Sequence, residues 1–139
     1  VLDSAGDWRE QLANLLSFPA DRNVRRFLSS EVAPALREFA DELARHDVAA
    51  TVSDEIRDKD RVRLEVRRDN ETDFVYEVRC RDHAVPHEHL ADAERYYRAE
   101  VHLAQGGQDY CVMGWSRDQI THDVLQQYTN HLQFLQSMR

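Results

Sequence analysis

Two hydrophobic periods divide this chain. From Trp8 to Leu43 apolar residues return every three or four positions, the spacing of one helix face; from Val48 to Val112 they alternate with polar ones, the spacing of a strand with one buried side; after Ser116 the helical period returns. Asp3 and Ser4 can cap a short first helix carrying Trp8, Leu12, Leu15 and Leu16, and Pro19 stops it near Ser17, because a residue before proline is pushed out of helical geometry. A longer helix starts near Asp21, with Val24, Phe27, Leu28, Val32, Ala35, Leu36, Phe39 and Leu43 on one stripe. Pro34 falls inside that stripe, so a kink or a break is expected there.

The alternating region predicts strands around Val48, Ala50 and Val52; Val62, Leu64 and Val66; Phe74, Tyr76, Val78 and Cys80; Tyr97, Ala99, Val101 and Leu103; and Tyr110 and Val112, extending toward Gly114. The polar run from Asp69 to Asp73 reads as a hairpin turn and Gln105 to Asp109 as another, while residues 82–94 form a long irregular stretch and Ser53 to Asp60 a loop. Ser116-Arg117-Asp118-Gln119 matches the capping box and opens a last helix with Ile120, Val124, Leu125, Tyr128, Leu132 and Leu135 on one face. The expected fold is α+β: an antiparallel four- or five-stranded sheet with helices packed on one face, a two-layer sandwich whose other face meets water or a partner.

At 139 residues the chain suits a single domain across its whole length, 1–139. No apolar run approaches the roughly eighteen residues a membrane span needs, so a soluble domain is expected. It begins with Val1, which suggests a piece excised from a longer protein. Its two cysteines, Cys80 and Cys111, fall in predicted strands and suit reduced, packed thiols and a cytoplasmic setting. A net charge of −8 argues against nucleic acid as a partner. Between Arg57 and Arg81, however, there are eight basic and seven acidic residues, an arginine-rich strip between acidic flanks.

Three constellations invite chemistry and are weighed against plainer readings. Cys80, His83, His87 and His89 have spacing a zinc site could use, but the register of Cys80 with Phe74, Tyr76 and Val78 turns its sulfur inward, so no metal is expected. A cysteine nucleophile at Cys80 or at the more outward Cys111 lacks an adjoining helix N-terminus or oxyanion loop, so no catalytic residue is assigned. Gly106-Gly107 is followed by a strand and reads as a hairpin turn, not a phosphate cradle, and no cofactor is expected.

The outward strand positions are the remaining feature: Arg61, Arg63, Glu65 and Arg67 on the second strand, Glu77, Arg79 and Arg81 on the third, Arg98, Glu100 and His102 on the fourth. The plain account is a solvated face with cross-strand ion pairs. The functional account is a docking face built on Arg61, Arg63, Arg67, Arg79, Arg81 and Arg98, for acidic headgroups, another segment or a second copy of the domain, since arginine recognises phosphates and carboxylates bidentately.

Several stretches carry a family likeness: Tyr96-Tyr97-Arg98-Ala99-Glu100-Val101, the turn Gly106 to Tyr110, the junction Val112-Met113-Gly114-Trp115-Ser116, and the helix Asp123 to Tyr128 with His131 to Leu135. Asp73 to Val78 and Trp8 to Leu12 with Phe18-Pro19 extend it upstream. Together they resemble the cytoplasmic C-terminal extension of high-affinity choline transporters in the betaine/choline/carnitine transporter family. The resemblance implies a non-catalytic regulatory domain at the cytoplasmic face of the inner membrane, tuning osmoprotectant uptake to osmotic stress. Its implied partner is the membrane-embedded core of the same polypeptide, with an anionic lipid surface or a second copy as further candidates. No substrate residue carries over, because the choline sites of such transporters lie in membrane helices. The alternative is a small-molecule or ion-sensing module, with Tyr76, Tyr97, Tyr110, Trp115 and Tyr128 lining a pocket between sheet and helices.

Overall fold

The structure is a computed structural model and describes residues 4–16, 19–84 and 95–138. Helices α1 (Ser4–Leu16), α2 (Asp21–Phe27) and α3 (Ala33–Arg45) precede the strands β1 (Ala49–Glu55), β2 (Arg61–Arg68), β3 (Glu71–Ala84), β4 (Arg95–Leu103) and β5 (Tyr110–Cys111). A one-turn helix, α4 (Ile56–Lys59), links β1 to β2, and α5 (Arg117–Ser137) ends the chain. The five strands form one sheet in chain order, each antiparallel to its neighbour.

The α+β architecture expected from the periodicity is therefore the one observed. The inward residues of every strand join one core with helix residues: Val62, Leu64 and Val66 of β2, Phe74, Tyr76 and Val78 of β3, and Ala99 and Val101 of β4 meet Val24, Leu28, Val32, Leu36 and Phe39 before the sheet and Ile120, Val124 and Tyr128 of α5. Outward residues are missing from that cluster, so the helices share one face of the sheet. At about 25 cal/mol per Å² of apolar surface removed from water, this shared burial is what holds the two layers together.

Pro34 leaves the long helix unbroken. Leu28–Val32 form a π-helical turn between α2 and α3, in which the Ala33 N–H donates to the Leu28 carbonyl five residues back. Proline lacks an N–H, and in a regular helix its ring collides with the carbonyl four residues earlier; widening the preceding turn by one residue re-aims that carbonyl. Pro34 then stands in the first turn of α3, where a missing donor costs little.

The β2–β3 hairpin turns on Asp69 and Asn70, both left-handed with φ of 52° and 65°, the pattern of a type I′ turn. Val66 pairs with Phe74 but Arg67 pairs with Thr72, so Asp73 is an extra residue bulged out of the ladder. The bulge turns the Asp73 carboxylate toward α5, where His131 Nε2 lies 3.1 Å from Asp73 Oδ1. Strand β3 also runs further than its apolar alternation indicates: Asp82, His83 and Ala84 pair with Tyr97, Tyr96 and Arg95, so residues 82–84 belong to the sheet rather than to an irregular stretch. The loop expected from Ser53 to Asp60 is instead the end of β1 and α4, closed by Asp60 at φ 54°.

Helix α5 begins at the predicted capping box. The Gln119 N–H donates to Ser116 Oγ at 3.2 Å and the Ser116 N–H to Gln119 Oε1 at 2.8 Å. Its buried stripe is Ile120, Val124 and Tyr128; Leu125, expected on that face, is half exposed. In α1, Trp8, Leu12 and Leu16 recur as predicted yet stay largely exposed.

Candidate docking face

The side of the sheet away from the helices is a charged lattice set by register. Antiparallel pairing brings Arg63 opposite Glu77, Arg61 opposite Arg79, Arg79 opposite Glu100, Arg81 opposite Arg98 and Glu77 opposite His102. Glu77, at the middle of the central strand, is only 1% exposed. Arg63 Nη1 lies 3.4 Å and Arg61 Nη1 3.6 Å from Glu77 Oε1, and Arg79 Nε donates to Oε2. Three guanidiniums thus cover one carboxylate. Arg61 also donates to Glu55 at 2.9 Å, and that bond holds the Glu55 carboxyl below the usual carboxylate range while raising Arg61 itself.

Smaller groupings surround this centre. Asp109 lies 3.0 Å from His102 Nδ1 and 3.9 Å from Arg81 Nη1; Glu65 meets Arg67 at 3.5 Å and accepts from the Thr72 hydroxyl. His83 Nε2 lies 2.9 Å from Glu100 and stacks on Tyr96 with ring centroids 5.5 Å apart, and the Arg98 guanidinium sits 5.1 Å from the centre of the same Tyr96 ring. Each of these pairs has one partly exposed partner; pairs at the protein surface contribute about 0–1 kcal/mol each and weaken with salt. The Glu77 cluster differs: its carboxylate is out of water, so removing the arginines would leave a buried charge without compensation.

Of the six arginines singled out in the sequence, the structure gathers Arg61, Arg63 and Arg79 on Glu77, sets Arg81 beside Arg98, and leaves Arg67 near the hairpin end. The central role of Glu77 was not recognised from the sequence. The available signal was its place between Tyr76 and Val78 in the longest strand, where neighbours on both sides cover the backbone.

The other constellations come apart or turn structural. Strand alternation puts Cys80 on the core side and His83 on the charged side, and His87 and His89 lie outside the described residues. Burial pushes the Cys80 thiol up to about 11 and raises Cys111 as well, so neither is poised as a thiolate near neutrality. Gly106 and Gly107 have φ of 116° and 106° with open space around each Cβ position, so their backbone conformation, not crowding, calls for glycine. The aromatic residues serve the core. Tyr76 and Tyr110 donate to Asp123 Oδ2 at 2.7 and 2.6 Å, Tyr128 meets Phe74 edge-on at 5.2 Å, and Tyr97 and Trp115 pack against the same cluster. A cleft of about 430 Å³ beside the hairpin takes only Tyr128 from this group.

The class these features define is a two-layer α+β domain with a packed interior and a charged, open sheet face. None of its described helices is long and apolar enough to cross a membrane. No family model matches the chain. Whole-protein comparison places it clearly: it is 32% identical over 145 residues to a glycine betaine transporter of Acinetobacter baylyi, a match covering all of this chain and 22% of that protein. It is 28% identical over 135 residues to the high-affinity choline transport protein of Escherichia coli K12, covering 92% of this chain and 20% of the relative. An osmo-dependent choline transporter of Acinetobacter baylyi, BetT2, is 24% identical over 136 residues, again spanning 20% of that protein. The chain is homologous to glycine betaine and choline transporters of the betaine/choline/carnitine transporter family, and it spans about a fifth of the length of these relatives.

Proposed function

We propose that this chain is a non-catalytic regulatory domain of a choline- or betaine-type osmoprotectant transporter, lying at its C-terminal end on the cytoplasmic face of the membrane and tuning uptake to osmotic stress. The observation that carries the reading is the pairing of homology along essentially the whole chain to transporters with a described fold whose helices are too short or too polar to cross a bilayer. A part of a transporter that does not span the membrane can change uptake only by contacting the part that does, another subunit or the membrane surface. The sheet face offers the contact: its arginines are a quarter to a half exposed, and charge contacts made through them with a partner would weaken as salt rises. A rise in internal salt would weaken such contacts and report osmotic stress to the transporter core. The test is substrate uptake by the full-length protein, with and without this domain, across external osmolality.

A further inference from the structure

Strand β1 is an open edge of the sheet: it pairs with β2 on one side, and no described strand lies on the other. The Cys80 N–H donates to the Asp60 carbonyl at 2.8 Å, and this bond fixes the parity of the ladders, with even-numbered residues of β2 turning their backbone groups to β3 and odd-numbered ones turning theirs to β1. Through the β1–β2 register, Ala49, Thr51, Ser53 and Glu55 face β2, so the N–H and C=O groups of Ala50, Val52 and Asp54 point off the sheet. Edge strands that stay single usually carry lysine, proline or a bulge. Here the edge reads Ala49-Ala50-Thr51-Val52-Ser53, and its pairing with β2 runs uninterrupted from Ala49–Arg67 to Glu55–Arg61. Its burial is also incomplete. Inward-facing Ala50 and Val52 stay partly exposed, whereas Val62, Leu64 and Val66 beside them on β2 are at most 1% exposed.

We propose that β1 pairs with β1 of a second copy of this chain, antiparallel about a two-fold axis at Val52, so that the two sheets join edge to edge. The strand is complementary to itself in that arrangement. Val52 and the partner's Val52 exchange backbone hydrogen bonds, as do Ala50 and the partner's Asp54, so the groups left on the open edge are satisfied. Thr51 stands beside the partner's Ser53 and Ala49 beside the partner's Glu55, and no like charges face each other. Charge favours the same direction: Asp54 and Glu55 end the strand, Arg67 lies opposite Ala49 at its start, and the partner's Glu55 comes beside Arg67 across that small residue. The contact also covers the partly exposed side of Val52 in both copies. Because the same edge serves both copies, the association closes at two. It uses the sheet edge rather than the charged face, and it goes beyond the osmotic reading by joining two copies of the domain.

The test is sedimentation equilibrium and amide hydrogen exchange on the 139-residue chain from about 10 µM to about 1 mM, since edge pairing buries less than a standard interface and should be weak. The expected result is a reversible doubling of mass, accompanied by new protection at the Ala50, Val52 and Asp54 amides. Thr51 and Ser53, which face β2, should be protected at every concentration. Thr51→Lys with Ser53→Lys sets like charges opposite each other twice across the two-fold and should weaken association about tenfold or more. Both side chains are exposed, so the amide spectrum should otherwise be retained; should the double variant unfold, the exchange pattern of the wild-type chain decides. A monomer throughout this range, association undiminished in the folded double variant, or concentration-dependent protection on β3 and β4 instead of at Ala50, Val52 and Asp54, would overturn the proposal. Because the readout is self-association of this chain alone, its failure is separate from a failure of osmotic regulation, which only uptake by the full-length protein can show.

Discussion

Tyr76 on β3 donates its hydroxyl to Asp123 on α5 at 2.7 Å, from a side chain with no exposed surface. Tyr110 donates to the same carboxylate oxygen, so one aspartate satisfies two hydroxyls and ties the sheet to the last helix. Asp123→Ala leaves both donors without their acceptor and should cost about 2–3 kcal/mol in denaturant unfolding. Asp123→Asn keeps an acceptor and should cost about half as much. Equal losses in the two variants would show that packing, not hydrogen bonding, fixes α5.

Glu77→Gln should lower stability by about 1–3 kcal/mol, below the usual figure for breaking a buried pair because its arginines are a quarter to a third exposed. The sign of the salt response should also reverse. Added salt screens attraction in the native cluster but repulsion among Arg61, Arg63 and Arg79 in the variant, so chloride should stabilise the variant relative to wild type. Denaturation midpoints at low and high salt check this.

The same cluster alters the choice of docking variants. From the sequence, Arg61→Glu with Arg79→Glu looks like a mild surface change, but both side chains hold the buried Glu77. That double reversal should unfold or loosen the sheet, read as a lower thermal midpoint. Arg81→Glu should leave the midpoint nearly unchanged, because Arg81 is exposed and only distantly paired.

Burial raises the Cys80 thiol to about 11, and raises Cys111, Tyr110 and Tyr76, the last strongly. Each group keeps its proton longer in the folded chain than in the unfolded one, so between about pH 9 and 11 the unfolded state binds fewer protons and stability falls as pH rises. The unfolding midpoint should decline through this window, and a thiol reagent at pH 8 should label both cysteines slowly until the chain is denatured. Fast native labelling would contradict the partial burial of the two cysteines.

The sheet was legible because one buried side imposes strict alternation on Val62 to Val66, Phe74 to Cys80 and Tyr97 to Leu103. The Ser116 capping box was legible because its chemistry is local. What escaped were features set by pairing. The bulge at Asp73 depends on which residue faces Val66, and the continuation of β3 through Ala84 depends on β4 offering partners to polar residues. The π turn before Pro34 is one of several local answers to a proline, and the sequence indicates the problem without selecting the answer. The arginine face was visible as a pattern, but the burial of Glu77 arises only when three strands lie side by side.

The measurement that bears most directly on the regulatory reading is uptake of choline and glycine betaine by the full-length protein as external osmolality is raised, compared with the protein lacking this domain. The account predicts that uptake persists without the domain, because transport belongs to the rest of the polypeptide, and that its dependence on osmolality shifts or flattens. An osmolality profile unchanged by the deletion, at matched protein level in the membrane, would contradict it.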